Sequence, residues 1–161
     1  MIVLDTDVCV EVMRHNPVVE RRFRACLGEA RVAAMTAAEL LYGAEKSDRP
    51  DENRMQVEEF LDMVPMLPTD ENTVRTFGYV KAYLTKAGLA IPDADLLVAA
   101  AALSRSCPLA SGNVRHFSRI WGLQLRNWHQ GHPTCKDWQS RGIKTQPLGP
   151  YRRVISSSEP P

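Results

Sequence analysis

The chain is predicted to be an α/β protein built on a central parallel sheet, and three observations point there. It opens on Met1-Ile-Val-Leu4, a short apolar run without polar alternation, which suits a strand covered on both faces. Further short apolar runs follow near 31–35, 64–67, 109–111 and 123–126, separated by segments of helix length. Such alternation implies parallel strands joined by right-handed crossovers. The 161 residues suffice for one domain with a sizeable core.

The elements read in order as follows. After Asp7, residues 8–15 form a short helix capped by Thr6 or Asp7. Asn16-Pro17 then pairs a cap with a first-turn proline, and Val19, Phe23, Cys26 and Leu27 give a helical stripe ended by Gly28. Residues 31–35 are the second strand, and Thr36 opens a helix to about Lys46. A helix over 51–63 should pack Met55, Phe60 and Leu61, and Pro65 demotes the run at 64–67 to an edge strand. Asp70 caps a long helix to Ala87 with Val74, Phe77, Tyr83 and Leu84 inside, closed by Gly88. The helix over 96–104 is apolar nearly all round and so central, with Asp93 reading best as its cap. A strand at 109–111, a helical turn at 113–117 and a last strand at 123–126 complete a body of residues 1–128. Residues 129–161, rich in Gly, Pro and Ser, are expected to be an irregular or disordered tail.

Composition excludes several classes. The formal charge is +1, with 15 Lys and Arg against 17 Asp and Glu in residues 1–128 and 5 against 2 thereafter, so there is no large basic footprint. Arginine outnumbers lysine 15 to 5, which agrees with phosphate contacts and equally with GC-rich coding. Cys9, Cys26, Cys107 and Cys135 show no paired spacing and read as reduced. With no leader expected before the first strand, and no apolar run of spanning length, the chain reads as cytoplasmic with no membrane association. His129, His132 and Cys135 offer three candidate zinc ligands at a non-standard spacing, and are read as solvated polar residues.

The chemistry lies in where the acids fall. Asp5 ends the first strand, Glu39 sits in the first turn of the helix leaving the second, Asp95 lies in the first turn of the central helix and Asn113 follows the strand at 109–111. In a parallel sheet these positions share one rim, where open α/β folds place ligands. Clustered carboxylates repel unless a cation intervenes. Oxygen donors without His or Cys select a hard ion, Mg²⁺ or Mn²⁺, which suits phosphodiester hydrolysis. Two local readings compete. Thr36-x-x-Glu39 is also a capping box, and Asp93 and Asp95 point to different helix faces, so only one is expected to meet the rim.

Ile2-Val-Leu-Asp5-Thr6-Asp7, Thr36-Ala-Ala-Glu39-Leu-Leu-Tyr-Gly43, Ile91-Pro-Asp-Ala-Asp95-Leu-Leu-Val-Ala-Ala100, Ser111-Gly-Asn113-Val-Arg-His-Phe117, Ile120-Trp-Gly-Leu123 and Asn127-Trp128 together resemble a PIN-domain ribonuclease. More narrowly, the set is similar to the VapC toxins of VapBC toxin–antitoxin pairs. The resemblance covers residues 1–128 and implies a single PIN-like domain, a Mg²⁺- or Mn²⁺-dependent endoribonuclease acting on RNA, a cognate antitoxin and a homodimer. By position it implies Asp5, Glu39 and Asp95 as the acidic, metal-binding triad, Asn113 as the fourth polar position and Thr6 as the hydroxyl beside the first acid. It resolves the Asp93/Asp95 question in favour of Asp95. The chain departs from the family at Asp7, where Asn is usual, and in the 33 residues after Trp128.

Two rivals share parts of the pattern. A haloacid-dehalogenase-like phosphatase would use Asp5 as nucleophile and Asp7 as acid/base, with Ser111 as its strand-end hydroxyl, but no acidic pair follows Ser111 at the expected place. A catalytically inactive PIN-fold binding module would not need all three acids.

Overall fold

The computed structural model describes residues 1–129. Within them β1 (Ile2–Leu4), β2 (Ala30–Ala33), β3 (Met66–Leu67), β4 (Leu109–Ala110) and β5 (Leu125–Arg126) form one sheet. Its order is β3-β2-β1-β4-β5 and every neighbouring pair is parallel. The helices are α1 (Thr6–Met13), α2 (Pro17–Cys26), α3 (Ala34–Glu45), α4 (Pro50–Met63), α5 (Glu71–Lys86), α6 (Asp93–Leu103) and α7 (Val114–Phe117). This is the expected single α/β domain, with the short β3 at one edge. Pro65 leads into that strand, and its carbonyl accepts the Val32 N–H at 3.3 Å.

Alternation along β1 builds a core on each side of the sheet. Ile2 and Leu4 join Val8, Val19, Phe23, Phe60 and Trp128 under α1, α2 and α4. Val3 joins Val80, Leu84, Leu96, Val98, Phe117 and Ile120 under α5 and α6. The apolar α6 is buried along most of its length, as its composition requires. On α5 the stripe is rotated from the expected one. Thr73, Thr76, Val80 and Leu84 face inward, while Val74 and Tyr83 are exposed. Thr73 takes its buried position with its hydroxyl bonded, Oγ1 donating to Asp70 Oδ1 at 2.7 Å, whereas the buried Thr76 hydroxyl has no partner among the described residues. Met55 is likewise exposed on α4, whereas Phe60 is buried.

Helix starts differ from expectation in ways that matter at the rim. Asp5, not Thr6 or Asp7, caps α1. Helix α3 begins at Ala34, so Thr36 is already inside its first turn and the Thr36–Glu39 capping box does not form. Thr36 is buried instead, its hydroxyl donating to the Leu4 carbonyl at 3.4 Å. Helix α6 begins at Asp93 after Pro92, with no side-chain cap. By contrast Asn16 caps α2, Asp70 caps α5, and Gly88 closes α5 at φ 69° as expected.

Cys9 and Cys107 are free and buried, as read from their apolar surroundings. Cys26 is also buried but is disulfide-bonded, against the expectation of a reduced thiol. Among the described residues no helix is long and apolar enough to cross a membrane. Of the tail, only His129 falls among the described residues. The tail reading for 130–161, with the candidate ligands His132 and Cys135, lies outside them.

One buried cation was not expected. Arg22 lies on the inner stripe of α2, and its Nη1 donates to the carbonyls of Asn127 and Trp128, joining α2 to the end of the body. Arg22→Ala leaves two buried carbonyls without their donor and opens a void. The expected cost is about 2–3 kcal/mol, read as a lower urea midpoint with an unchanged m-value. A loss below roughly 0.5 kcal/mol would mean that water replaces the guanidinium freely.

Candidate active site

The site forms where the carboxyl ends of β1, β2 and β4 meet the first turns of α1, α6 and α7 and the second turn of α3; because α3 begins at Ala34, Glu39 lies one turn further along its helix than expected. Asp5 stands at the end of the central strand, its N–H donating to the Ala110 carbonyl at 2.9 Å, which prolongs the β1–β4 ladder by one residue. That ladder fixes its direction, and its side chain is buried. Oδ1 accepts the Thr6 N–H at 2.9 Å and Oδ2 accepts the Ser111 hydroxyl at 2.6 Å.

With no capping box to occupy it, Glu39 turns to Thr6, whose Oγ1 donates to Glu39 Oε2 at 2.5 Å. Thr6 thus links the first two acids: its amide binds Asp5 and its hydroxyl binds Glu39. Asp95, in the first turn of α6, is half-buried. Its Oδ2 lies 3.2 Å from Asn113 Nδ2 and 2.5 Å from His116 Nδ1. Asp93 is outside this group, exposed and paired with Lys81 at 2.6 Å. The structure therefore brings Asp5, Thr6, Glu39, Asp95 and Asn113 to one rim and leaves Asp93 off it.

Five further residues belong to the arrangement. Ser111, read from sequence only as a hydroxyl for a rival chemistry, is fully buried against Asp5, and its Oγ also accepts the Asn113 N–H at 2.9 Å. Asp7 accepts the Gly112 N–H at 2.7 Å and faces His129 Nε2 at 3.3 Å. A side chain at Gly112 has no room: a Cβ there would stand 2.5 Å from His129 Cδ2 and 2.7 Å from Asp7 Oδ2. His116 completes the set. The turn Ser111-Gly112-Asn113 is thus a brace, touching Asp5 through its first residue and Asp95 through its last. The sequence signal for it was a serine, a glycine and an asparagine directly after a buried strand, a pattern that only the fold gives meaning.

Electrostatics single out Asp5. Its pKa is raised from an ordinary 3.8 to about 7, first by burial and then by the charges of Asp7 and Asp95, against the opposing hydrogen bonds from Ser111 and Thr6. Among the described residues no lysine or arginine forms an ion pair with Asp5, Glu39 or Asp95.

The fit to a hard cation follows from this donor set. All three acids offer oxygen, and among the described residues no lysine or arginine compensates the buried carboxylate, the condition that a divalent ion relieves. In the side-chain arrangement present, Ser111, Thr6 and His116 each take up an oxygen of one of the three acids. Among the described residues no three His, Cys, Asp or Glu side chains converge closely enough to hold an ion as they stand. The residues fit in chemistry and position, and side-chain rotation at the rim is what remains.

Comparison with known proteins agrees. Residues 2–122 match the family model described as the PIN domain. Over 126 residues the chain is 37% identical to ribonuclease VapC2 of Haemophilus influenzae, covering 78% of this chain and 96% of that protein. It is 32% identical to the tRNA(fMet)-specific endonuclease VapC of Shigella flexneri over the same shares of the two chains, 78% and 96%. The crystal structure of DNA-bound VapBC from Salmonella typhimurium superposes with a TM-score of 0.76 at 30% identity, over 79% of this chain and 97% of that one.

The raised pKa of Asp5 gives a pH dependence of known sign. A folded pKa above the unfolded one means that the folded protein binds the extra proton between pH 3.8 and about 7. The stability so contributed is full below the unfolded value and is lost as pH rises through the folded one. Metal-free protein should lose up to about 4 kcal/mol across this window relative to Asp5→Asn, which cannot titrate. Urea denaturation in chelator at a series of pH values checks this. Parallel curves for the two proteins would show that Asp5 is not held in the charged-disfavouring setting described.

Proposed function

The chain belongs to the PIN-domain family, and within it to the VapC ribonucleases, and on that footing we propose that it is an endoribonuclease toxin that hydrolyses RNA with Mg²⁺ or Mn²⁺. VapC nucleases of the PIN-domain family depend as a class on divalent metal. The observation that carries the reading is the uncompensated acidic rim: a buried Asp5 with Asp95 in its field, and Glu39 tied to it through Thr6. Asp5, Glu39 and Asp95 would hold the ion. When bound, the ion supplies charge neutralisation at the scissile phosphate and lowers the pKa of an attacking water.

The chain's own residues then have distinct tasks. Asp5 is the fixed anchor, because the β1–β4 ladder allows it no other direction. Thr6 orients Glu39 and Asp5 with one residue. Asn113 steadies Asp95 and presents an amide donor at the rim, suited to a phosphate oxygen. The haloacid-dehalogenase-like alternative needs Asp7 free to move a proton, whereas Asp7 is engaged with the Val8 and Gly112 amides, both at 2.7 Å.

The wider reading follows the family. The substrate is single-stranded or loop RNA, a cognate antitoxin restrains the enzyme in the cytoplasm, and the working form is a homodimer. An apolar groove of about 410 Å³ between α1, α2 and α4, lined by Val12, Met13, Phe23, Phe60 and Met63, suits an amphipathic segment of the antitoxin. Residues 1–128 are the nuclease body, and His129 directly after it meets Asp7 at 3.3 Å.

The test is RNA cleavage by purified protein with Mg²⁺ or Mn²⁺ and with chelator. Cleavage should require the ion, and Asp95→Asn should abolish it. Asp93→Asn should keep nearly full activity, since it loses only an exposed ion pair worth at most about 1 kcal/mol of stability. Undiminished cleavage in chelator would defeat the metal mechanism. Loss in Asp93→Asn with retention in Asp95→Asn would reverse the assignment of the pair.

A further inference from the structure

We propose that His116 is a positioning residue that sets the orientation of Asp95 for metal binding; this rests on the reading of Asp95 as a metal ligand. His116 lies on α7, three residues beyond Asn113. Its Nδ1 is 2.5 Å from Asp95 Oδ2, the shortest contact that Asp95 makes among the described residues. Asn113 Nδ2 reaches the same oxygen at 3.2 Å. Both contacts fall on Oδ2, and among the described residues Oδ1 takes no hydrogen bond. One oxygen of Asp95 is therefore committed to the protein and the other is left for a ligand.

The proton assignment follows from the partners. An ionised carboxylate only accepts, so at this distance His116 carries its proton on Nδ1 and donates. A protonated Nδ1 cannot also accept from Asn113, although the two nitrogens lie 2.9 Å apart. The Asn113 amide must then donate to Asp95 alone. The result is two donors from one short segment aimed at one oxygen, the arrangement by which outer partners orient a metal-binding side chain. Packing supports the geometry from beneath: Phe117, next to His116, is buried in the core under α6, and α7 packs on α6. The imidazole is thus held against the helix that carries Asp95, and it is not a loose surface group.

The position also explains a feature of the rim. Asp5 is oriented by its strand and Glu39 by Thr6, but the first turn of α6 has no side-chain cap and nothing in its own backbone that directs Asp95. His116 and Asn113 supply that direction from the opposite side of the site.

The experiment uses three variants of the full chain, His116→Asn, His116→Gln and His116→Ala, with Mn²⁺ affinity measured by calorimetry in the absence of RNA. Asparagine places an amide N–H where the imidazole Nδ1–H stands, whereas glutamine places it nearer the other ring nitrogen. Mn²⁺ affinity should fall roughly 10–100-fold in His116→Ala and His116→Gln, and His116→Asn should recover most of the loss. Cleavage assayed at subsaturating Mn²⁺ should follow the same order, with the gap narrowing as the ion saturates. The comparison of His116→Asn with His116→Gln stands even if the alanine variant folds poorly, since both preserve polarity and bulk. Equal affinity across the variants, with a wild type that binds Mn²⁺ and cleaves RNA, overturns this inference alone. Tighter binding in His116→Ala also overturns it, because the imidazole would then be competing with the ion for Asp95. A wild type that neither binds Mn²⁺ nor cleaves RNA overturns both the inference and the functional reading beneath it.

Discussion

Burying a carboxylate at the end of the central strand is the constraint on which the rest of this rim depends. Strand β1 has a parallel neighbour on each side, so all three carboxyl ends open on one edge, and Asp5 is delivered to the middle of it. The energetic contest there has a clear winner. Two hydrogen bonds, from the Thr6 amide and the Ser111 hydroxyl, favour the charged form by an amount on the order of 1.5–3 kcal/mol each. Desolvation and the neighbouring charges of Asp7 and Asp95 nevertheless raise the pKa to about 7. Among the described residues no lysine or arginine pairs with this acid, so its charge is left to hydrogen bonds that do not fully offset its burial. Such a position is costly in isolation and becomes favourable once a cation is bound.

The surrounding residues are legible as supports for that one position. Thr6 ties Glu39 to Asp5, and the turn at 111–113 ties Asp5 to Asp95. Asp7 holds the middle of the turn from one side and His129 closes it from the other, which is why residue 112 is a glycine. The charge that distinguishes Asp7 from the asparagine usual in the family lies beside Asp5 and helps raise its pKa. It faces His129, a pairing that an amide would make more weakly.

Much of the fold was readable because its signals are local and one-dimensional. An unbroken apolar run marked β1, Asn16-Pro17 and Asp70 marked helix starts, and the apolar α6 marked itself as central. The departures from the sequence reading involve polar residues that the fold buries. Thr36 looked like a cap and is a buried helix residue bonded to the Leu4 carbonyl. The apolar pattern of α5 puts Val74 and Tyr83 inside, yet Thr73 and Thr76 hold the inner face in their place. Arg22 looked like surface charge, but it binds carbonyls more than a hundred positions away, at Asn127 and Trp128. At the site, Asp5 and Asp95 could be found from their places at a strand end and in a first turn, whereas Glu39 reaches the rim from the second turn of α3. Ser111, His116 and His129 could not, since their roles are defined by what they touch across the rim. Asp93 and Asp95 were separable on sequence only by resemblance, and the structure gives the physical reason: one faces Lys81 and solvent, the other faces Asn113 and His116.

On the proposed reading, Asp5 is partly protonated near neutral pH in the metal-free protein and would give up its proton when a divalent ion binds. Calorimetric Mn²⁺ titration in buffers of different ionisation enthalpy counts the protons released per ion bound. With the pKa of Asp5 at about 7, binding should release about one proton at roughly pH 6 and almost none above roughly pH 8.5, and Asp5→Asn should abolish the difference. Mn²⁺ binding without proton release at any pH, or with a release that Asp5→Asn leaves unchanged, would contradict the account.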